Sequence, residues 1–190
     1  ATLVYDVLGR VKTGIDADWH TKQYFYDSLD RITRATDATG NLRDYAYDTN
    51  GNHAGESLTA AVNGVSTLQD SASASYNLSD RKTVELDAAG NAMRYNYDAA
   101  GNVIQIINPD NYSLSFEYDA GNHVTKAYDR EGNAVTSTLD LDGKPRTVTD
   151  PNRNTVKYEY YGPERDGRLK TQKDALNRAT TYDYDANGNT

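Results

Sequence analysis

The chain is 190 residues long and carries 28 Asp and Glu against 20 Lys and Arg, for a net charge of −8 and a pI near 4.8. That balance repels phosphate backbones and anionic lipid heads and argues against nucleic acid or a membrane surface as partner. With no cysteine it has neither a disulfide framework nor thiolate metal ligands, and no apolar run approaches the length of a membrane span.

A mean hydropathy of −0.83 would ordinarily suggest disorder, but the 16 tyrosines and 14 glycines recur in phase, which a disordered chain does not require. An aspartate closes each strand-like segment. It falls at Asp6, Asp16, Asp27, Asp37 and Asp48, in steps of 10, 11, 10 and 11. The series resumes at Asn77, Asp87, Asp98, Asn108, Asp119, Asp129, Asp140, Asp150 and Tyr161 with the same alternation, and ends at Asp174 and Asp185.

Three residues after most of these markers stands a residue type that tolerates positive φ: Gly9, Gly40, Gly51, Gly90, Gly101, Gly132, Gly143 and Gly188, or Asp30, Asp80, Asn111, Asn122 and Asn177. Trp19, Arg153 and Glu164 depart from the rule. An Asp able to accept amides two residues on, followed by a left-handed residue, describes a type I turn closed by a bulge. The turn residues this reading singles out are Asp98, Gly101 and Asn102; Asp119, Gly121 and Asn122; Gly40 and Asn41; and Gly90 and Asn91. Each 21-residue unit is therefore a β-hairpin, and the fold class is all-β: tandem hairpins joined into a long twisted antiparallel sheet of about 16 strands.

Within strands, pairs of aromatics fall two residues apart: Tyr24 and Tyr26, Tyr45 and Tyr47, Tyr95 and Tyr97, Phe116 and Tyr118, Tyr158 and Tyr160, and Tyr182 and Tyr184. Period two puts each pair on one face, with Ala46, Asn96, Glu117, Glu159 and Asp183 on the other. These rings are expected to pack on one another and on Val103, Ile104, Ile106 and Ile107; stacking against sugar rings is the alternative. The array is read as a single domain over residues 1–190, interrupted at about 53–75 and again at 162–167. Both interruptions are expected to be lengthened hairpin loops, with partner contact as the sharper reading.

Catalytic or metal-binding signatures are missing. His20, His53 and His123 have no nucleophile nearby in sequence and are read as turn residues. Pairs such as Asp16/Asp18 and Asp140/Asp142 suit solvated turns, and the Asp-x-x-Gly-Asn loops lack the spacing of an EF-hand or a calcium β-roll. The chain is expected to be no enzyme and to use no cofactor.

The phrases Tyr26-Asp27-Ser-Leu-Asp-Arg31, Asp37-Ala-Thr-Gly-Asn41 and Tyr97-Asp98-Ala-Ala-Gly-Asn102 resemble the YD-repeat, or Rhs, family, and the resemblance covers nearly the whole chain. It implies a segment of a sheet that spirals into a hollow shell. In toxin members such a shell encloses a C-terminal toxic domain, and in teneurins it belongs to an adhesion receptor. The implied role is a non-catalytic scaffold in a large secreted or surface protein, with the remainder of its own parent chain as partner. The alternative is an extended adhesive or filament-forming protein that binds glycans or itself. The sole Asp-Pro, Asp150-Pro151, sits in phase as an ordinary turn and is not followed by Gly-Leu, so no self-cleavage residue carries over; the chain is read as mid-shell.

Overall fold

A computed structural model describes residues 1–62, 65–185 and 187–190. Among these, regular structure is 17 strands and a single 3-10 turn, Pro163–Arg165. Contacts divide the chain into two units, Ala1–Arg94 and Tyr95–Thr190, with the division inside one strand.

In the first unit, β1 (Thr2–Tyr5), β2 (Val11–Ile15), β3 (Thr21–Tyr26), β4 (Ile32–Thr36), β5 (Leu42–Tyr47), β6 (His53–Val62), β7 (Val65–Tyr76), β8 (Lys82–Leu86) and the start of β9 (Ala92–Tyr97) follow one another as an antiparallel meander. In the second, the same order runs through β10 (Val103–Ile107), β11 (Ser113–Tyr118), β12 (Val124–Tyr128), β13 (Ala134–Leu139), β14 (Pro145–Thr149), β15 (Thr155–Tyr160), β16 (Leu169–Lys173) and β17 (Ala179–Thr181). Alternate turns consequently lie on alternate edges. Within each unit, the turns at 6–10, 27–31, 48–52 and 77–81, and those at 98–102, 119–123, 140–144, 161–168 and 185–189, share one, termed here the tyrosine edge because a Tyr precedes most of them; turns such as 37–41, 87–91 and 129–133 share the other.

Every regular turn has the same backbone. In the turn at Asp98, the Asp98 amide donates to the Asn102 carbonyl at 3.0 Å, and the Gly101 amide donates to the Asp98 carbonyl at 3.1 Å. On the tyrosine edge a bulge coincides with the residue before the marker, as at Phe25/Tyr26, Glu117/Tyr118 and Glu159/Tyr160. The extra residue is on the strand that follows the turn, as with Thr33 and Thr125. Trp19 and Arg153 hold φ of 62° and 66°, so the turn geometry is kept even where the residue type disfavours it. Around Glu164 the pattern does shift: the 3-10 turn occupies that place, and the left-handed residues are Asp166 and Gly167.

The described residues of the interruption at 53–75 are strand, not loop. β6 has ten residues and β7 twelve, and they pair from Gly55↔Ser73 out to Val62↔Val65 with a bulge past Leu58↔Asp70. A ladder needs only backbone groups and tolerates small side chains, so the lack of aromatics did not prevent pairing. β5 accompanies β6 only to Leu42↔Thr59, and β8 meets β7 only from Ser73↔Leu86 onward. Residues 60–62 and 65–72 thus run past their neighbours as a two-stranded tongue; Asn63 and Gly64 lie outside the described residues.

A single sheet layer leaves no ordinary core. Ala92 and Thr171 are the buried residues among those described. The accessible surface is 12810 Å², against roughly 9,000 Å² for a compact protein of this mass.

Candidate functional site: the joints of the tyrosine edge

Each marker carboxylate organises its own turn. Asp98 Oδ1 accepts the amides of Gly101 at 2.7 Å and Asn102 at 2.8 Å, while Oδ2 accepts Asn102 Nδ2 at 3.0 Å. Asp37 does the same on the opposite edge, taking the Asn41 amide at 3.0 Å and Asn41 Nδ2 at 2.8 Å, with Gly40 at φ 86°. Asp87 takes Asn91 Nδ2 at 2.8 Å, with Gly90 at φ 81°. At Asp119 the amides come from Gly121 at 2.8 Å and His123 at 3.0 Å, and Asn122 is the left-handed residue at φ 64°. Gly121 precedes the position that needs positive φ.

These bonds favour the ionised carboxylate and hold its pKa below the ordinary value of 3.8. At Asp98 the side-chain amide of Asn102 is the leading cause. At Asp6 the leading cause is the Arg10 backbone amide, and at Asp37 the Thr39 hydroxyl leads and the pKa falls to about 2.

All the face tyrosines expected from the sequence (Tyr24, Tyr26, Tyr45, Tyr47, Tyr95, Tyr97, Tyr118, Tyr158, Tyr160, Tyr182 and Tyr184) are half-buried, whereas the residue between each pair is exposed. The second member of a pair has a task that its spacing does not announce. Its hydroxyl donates to a backbone carbonyl 15 residues back: Tyr26 to Val11 at 2.8 Å, Tyr47 to Ile32 at 3.0 Å, Tyr118 to Val103 at 2.8 Å, Tyr160 to Pro145 at 3.0 Å and Tyr184 to Leu169 at 3.0 Å. Tyr76 reaches His53 at 2.9 Å across the longer hairpin. Each acceptor opens the strand after a tyrosine-edge turn. Val11, for one, lies beyond Thr13↔Gln23, the last pair of the β2–β3 ladder, so the phenol supplies a bond the ladder does not.

Some of the rings meet each other. Ring pairs among the described residues include Tyr45 and Tyr47 with His53, at 6.0 and 5.9 Å, and Tyr161 with Tyr184 at 6.3 Å. Cations also cover them: Arg10 over Tyr26 at 4.6 Å, Arg31 over Tyr47 at 4.4 Å and Arg168 over Tyr184 at 5.3 Å. Of the expected apolar partners, Val103, Ile106 and Ile107 are half-buried, but Ile104 is on the exposed face.

Tyr26 shows what a joint is. Its ring lies under the Arg10 guanidinium, which belongs to the preceding turn, is held by Asp6 Oδ2 at 2.7 Å and donates onward to Asp30 Oδ1 at 2.6 Å. Two successive turns are thereby tied through one arginine and one phenol.

His20 and His123 are turn residues, with Nδ1 at 3.1 Å from Asp16 Oδ2 and 3.3 Å from Asp119 Oδ2. His53 is not: it opens β6, two residues past Gly51, and packs on Tyr45 and Tyr47. Asp16, Asp18 and His20 place three possible ligand atoms within 4.8 Å of one another, all exposed. Asp16 Oδ1 is already taken by the amides of Asp18 and His20, each at 2.9 Å, and the geometry is that of every other turn.

A single-layer meander of bulged hairpins, tied along an edge by tyrosine and arginine, defines a structural repeat protein. Residues 1–137 match the model of the teneurin YD-shell family and residues 164–190 that of the RHS repeat, and the chain belongs to the YD-shell family. Among solved structures it is similar to TcdB2-TccC3-Cdc42, at 17% identity and TM-score 0.65 over 96% of this chain and 12% of that one. TcdB2-TccC3 without its hypervariable C-terminal region gives 17% identity and 0.65 over 97% and 12%. The Photorhabdus luminescens Tc holotoxin pore gives 20% and 0.61 over 94% and 11%. At that identity the likeness is one of fold, and the chain spans about an eighth or less of the length of those structures. No curated protein matches. The described residues contain no helix long and apolar enough to cross a membrane.

Proposed function

We propose that this chain is a wall segment of a YD-repeat shell that encapsulates a C-terminal toxin or other cargo, in a large protein that is secreted or displayed at the cell surface. The joint carries the reading. A wall one sheet thick cannot draw stability from a two-layer core, and here phenol–carbonyl bonds and arginine bridges between turns act in its place. The partner is the rest of the parent chain, and the role is mechanical exclusion rather than catalysis.

Electron microscopy of the intact parent protein tests this. A closed shell with density inside is the expected result; a solid rod or a fibre would overturn it.

The tongue of β6 and β7 favours a second reading, that of an adhesive surface protein. Ser66–Asp70 are exposed, and among the described residues this edge of β7 has no ladder partner before Ser73. Open strand edges accept further strands. Binding of the parent to a glycan array, lost when the tongue is shortened, would support this reading over the first.

A further inference from the structure

The tyrosine-edge turns contain a matching rule that reaches beyond any single turn. Within each unit, at seven successive joints, the last residue of one turn meets the left-handed residue of the next. Where that residue is Asp or Asn, the two are hydrogen-bonded: Arg10 Nη1 to Asp30 Oδ1 at 2.6 Å, Asn52 Nδ2 to Asp80 Oδ1 at 2.7 Å and Asn102 Nδ2 to Asn122 Oδ1 at 2.8 Å. Where it is Gly, the arriving side chain occupies the place of the missing Cβ. A Cβ on Gly51 would lie 3.3 Å from Arg31 Nη1, one on Gly143 2.5 Å from His123 Nε2, and one on Gly188 2.6 Å from Arg168 Nη1. Lys144 Nζ is packed against Gly167 in the same way and donates to its carbonyl at 2.8 Å. The glycines of the opposite edge differ: a Cβ on Gly90 or Gly132 would meet nothing within 4 Å, although their φ values of 81° and 82° are similar.

We infer that these paired positions, 20 residues apart in a regular unit, are specificity determinants that fix which repeat can follow which. A bonded joint needs a short polar acceptor; a packed joint needs the absence of a side chain. Exchanging repeats between the two kinds would either leave a donor unmet or drive a side chain into a cation or imidazole. The opposite edge imposes no such condition at Gly90 or Gly132. The rule concerns the order of repeats, so it holds for a shell wall and for an adhesive scaffold alike.

The joint between Arg31 and Gly51 is unmatched and supplies the test. Arg31 stacks on Tyr47 as Arg10 does on Tyr26, but it faces Gly51, and its Nη1 is buried with no hydrogen-bond partner. Gly51→Asp would recreate the Arg10–Asp30 joint. In the full 190-residue chain, Gly90→Asp is expected to lower Tm by roughly 2–4 °C, as a strained left-handed aspartate with no new partner. Gly51→Asp is expected to lower it less or to raise it, despite the tighter surroundings, and this advantage is expected to vanish in the Arg31→Ala background. A second comparison covers the packed joints. Gly143→Ala should cost more than Gly132→Ala, and His123→Ala should close that gap. If Gly51→Asp costs as much as Gly90→Asp, or if either difference persists without its partner side chain, the rule is overturned.

Discussion

Trp19 occupies a position where the neighbouring turns carry Gly9 and Asp30, and it adopts φ 62° all the same with its side chain largely exposed. Nothing in its surroundings repays the clash between Cβ and the following carbonyl. Trp19→Gly should therefore raise stability by about 1 kcal/mol, readable in urea unfolding. The marker carboxylates give a second prediction at this scale. Thirteen of them, from Asp6 to Asp185, have depressed pKa values. A group that holds its proton less tightly when folded stabilises the fold above its unfolded pKa, near 3.8 here, and loses that contribution as pH falls through the folded value. Stability should thus be level with respect to these groups at neutral pH and decline below about pH 4, with proton uptake on acid unfolding. Asp98→Asn should soften that decline, because Asn77 already accepts the amides of Ser79 and Arg81, at 2.9 and 3.1 Å, without a charge to titrate. An unchanged acid profile would count against the turn carboxylates as its source.

At the scale of the strand, the second tyrosine of each pair bears more than the first. Tyr118→Phe removes only the hydroxyl that donates to Val103 at 2.8 Å and should cost about 1–3 kcal/mol, since the carbonyl is left without that donor. Tyr24→Phe serves as the comparison, because its hydroxyl bonds nothing among the described residues, and it should be close to neutral. The two can be compared by chemical denaturation. This distinction shows where sequence reasoning stops. Period two places Tyr24 and Tyr26 on one face, but only the register, with Tyr26 at a bulge beside Val11, separates a packing residue from a bonding one. Turn spacing was legible because the left-handed site recurs at fixed phase, strongly enough to hold Arg153 there at φ 66°. The tongue was not legible as strand. Its Ser and Ala residues resemble a loop by composition, and what makes them strand is the paired backbone of β6 and β7, which leaves no mark on side-chain type.

For the molecule as a whole, what matters is how far cooperativity extends without a core. In a solenoid-like array each repeat touches only its neighbours, and stability is a sum of local terms and joints rather than of one shared interior. Ala92 and Thr171 are the buried residues described, and a surface of 12810 Å² remains accessible in the folded chain. Folding therefore removes less surface from water than it does in a compact domain of the same length, and the urea m-value scales with that change. Unfolding of the 190-residue chain should accordingly show an m-value below that of a compact protein of equal size, and a transition spread over a wide urea range. Breaking one joint should then matter locally. With Tyr118→Phe, amides near Val103 and Tyr118 should lose hydrogen-exchange protection while those near Tyr184, at a separate joint, keep theirs. A uniform loss along the chain, together with a steep single transition, would mean that an interior shared by the whole array holds it together, and the joints would then be secondary.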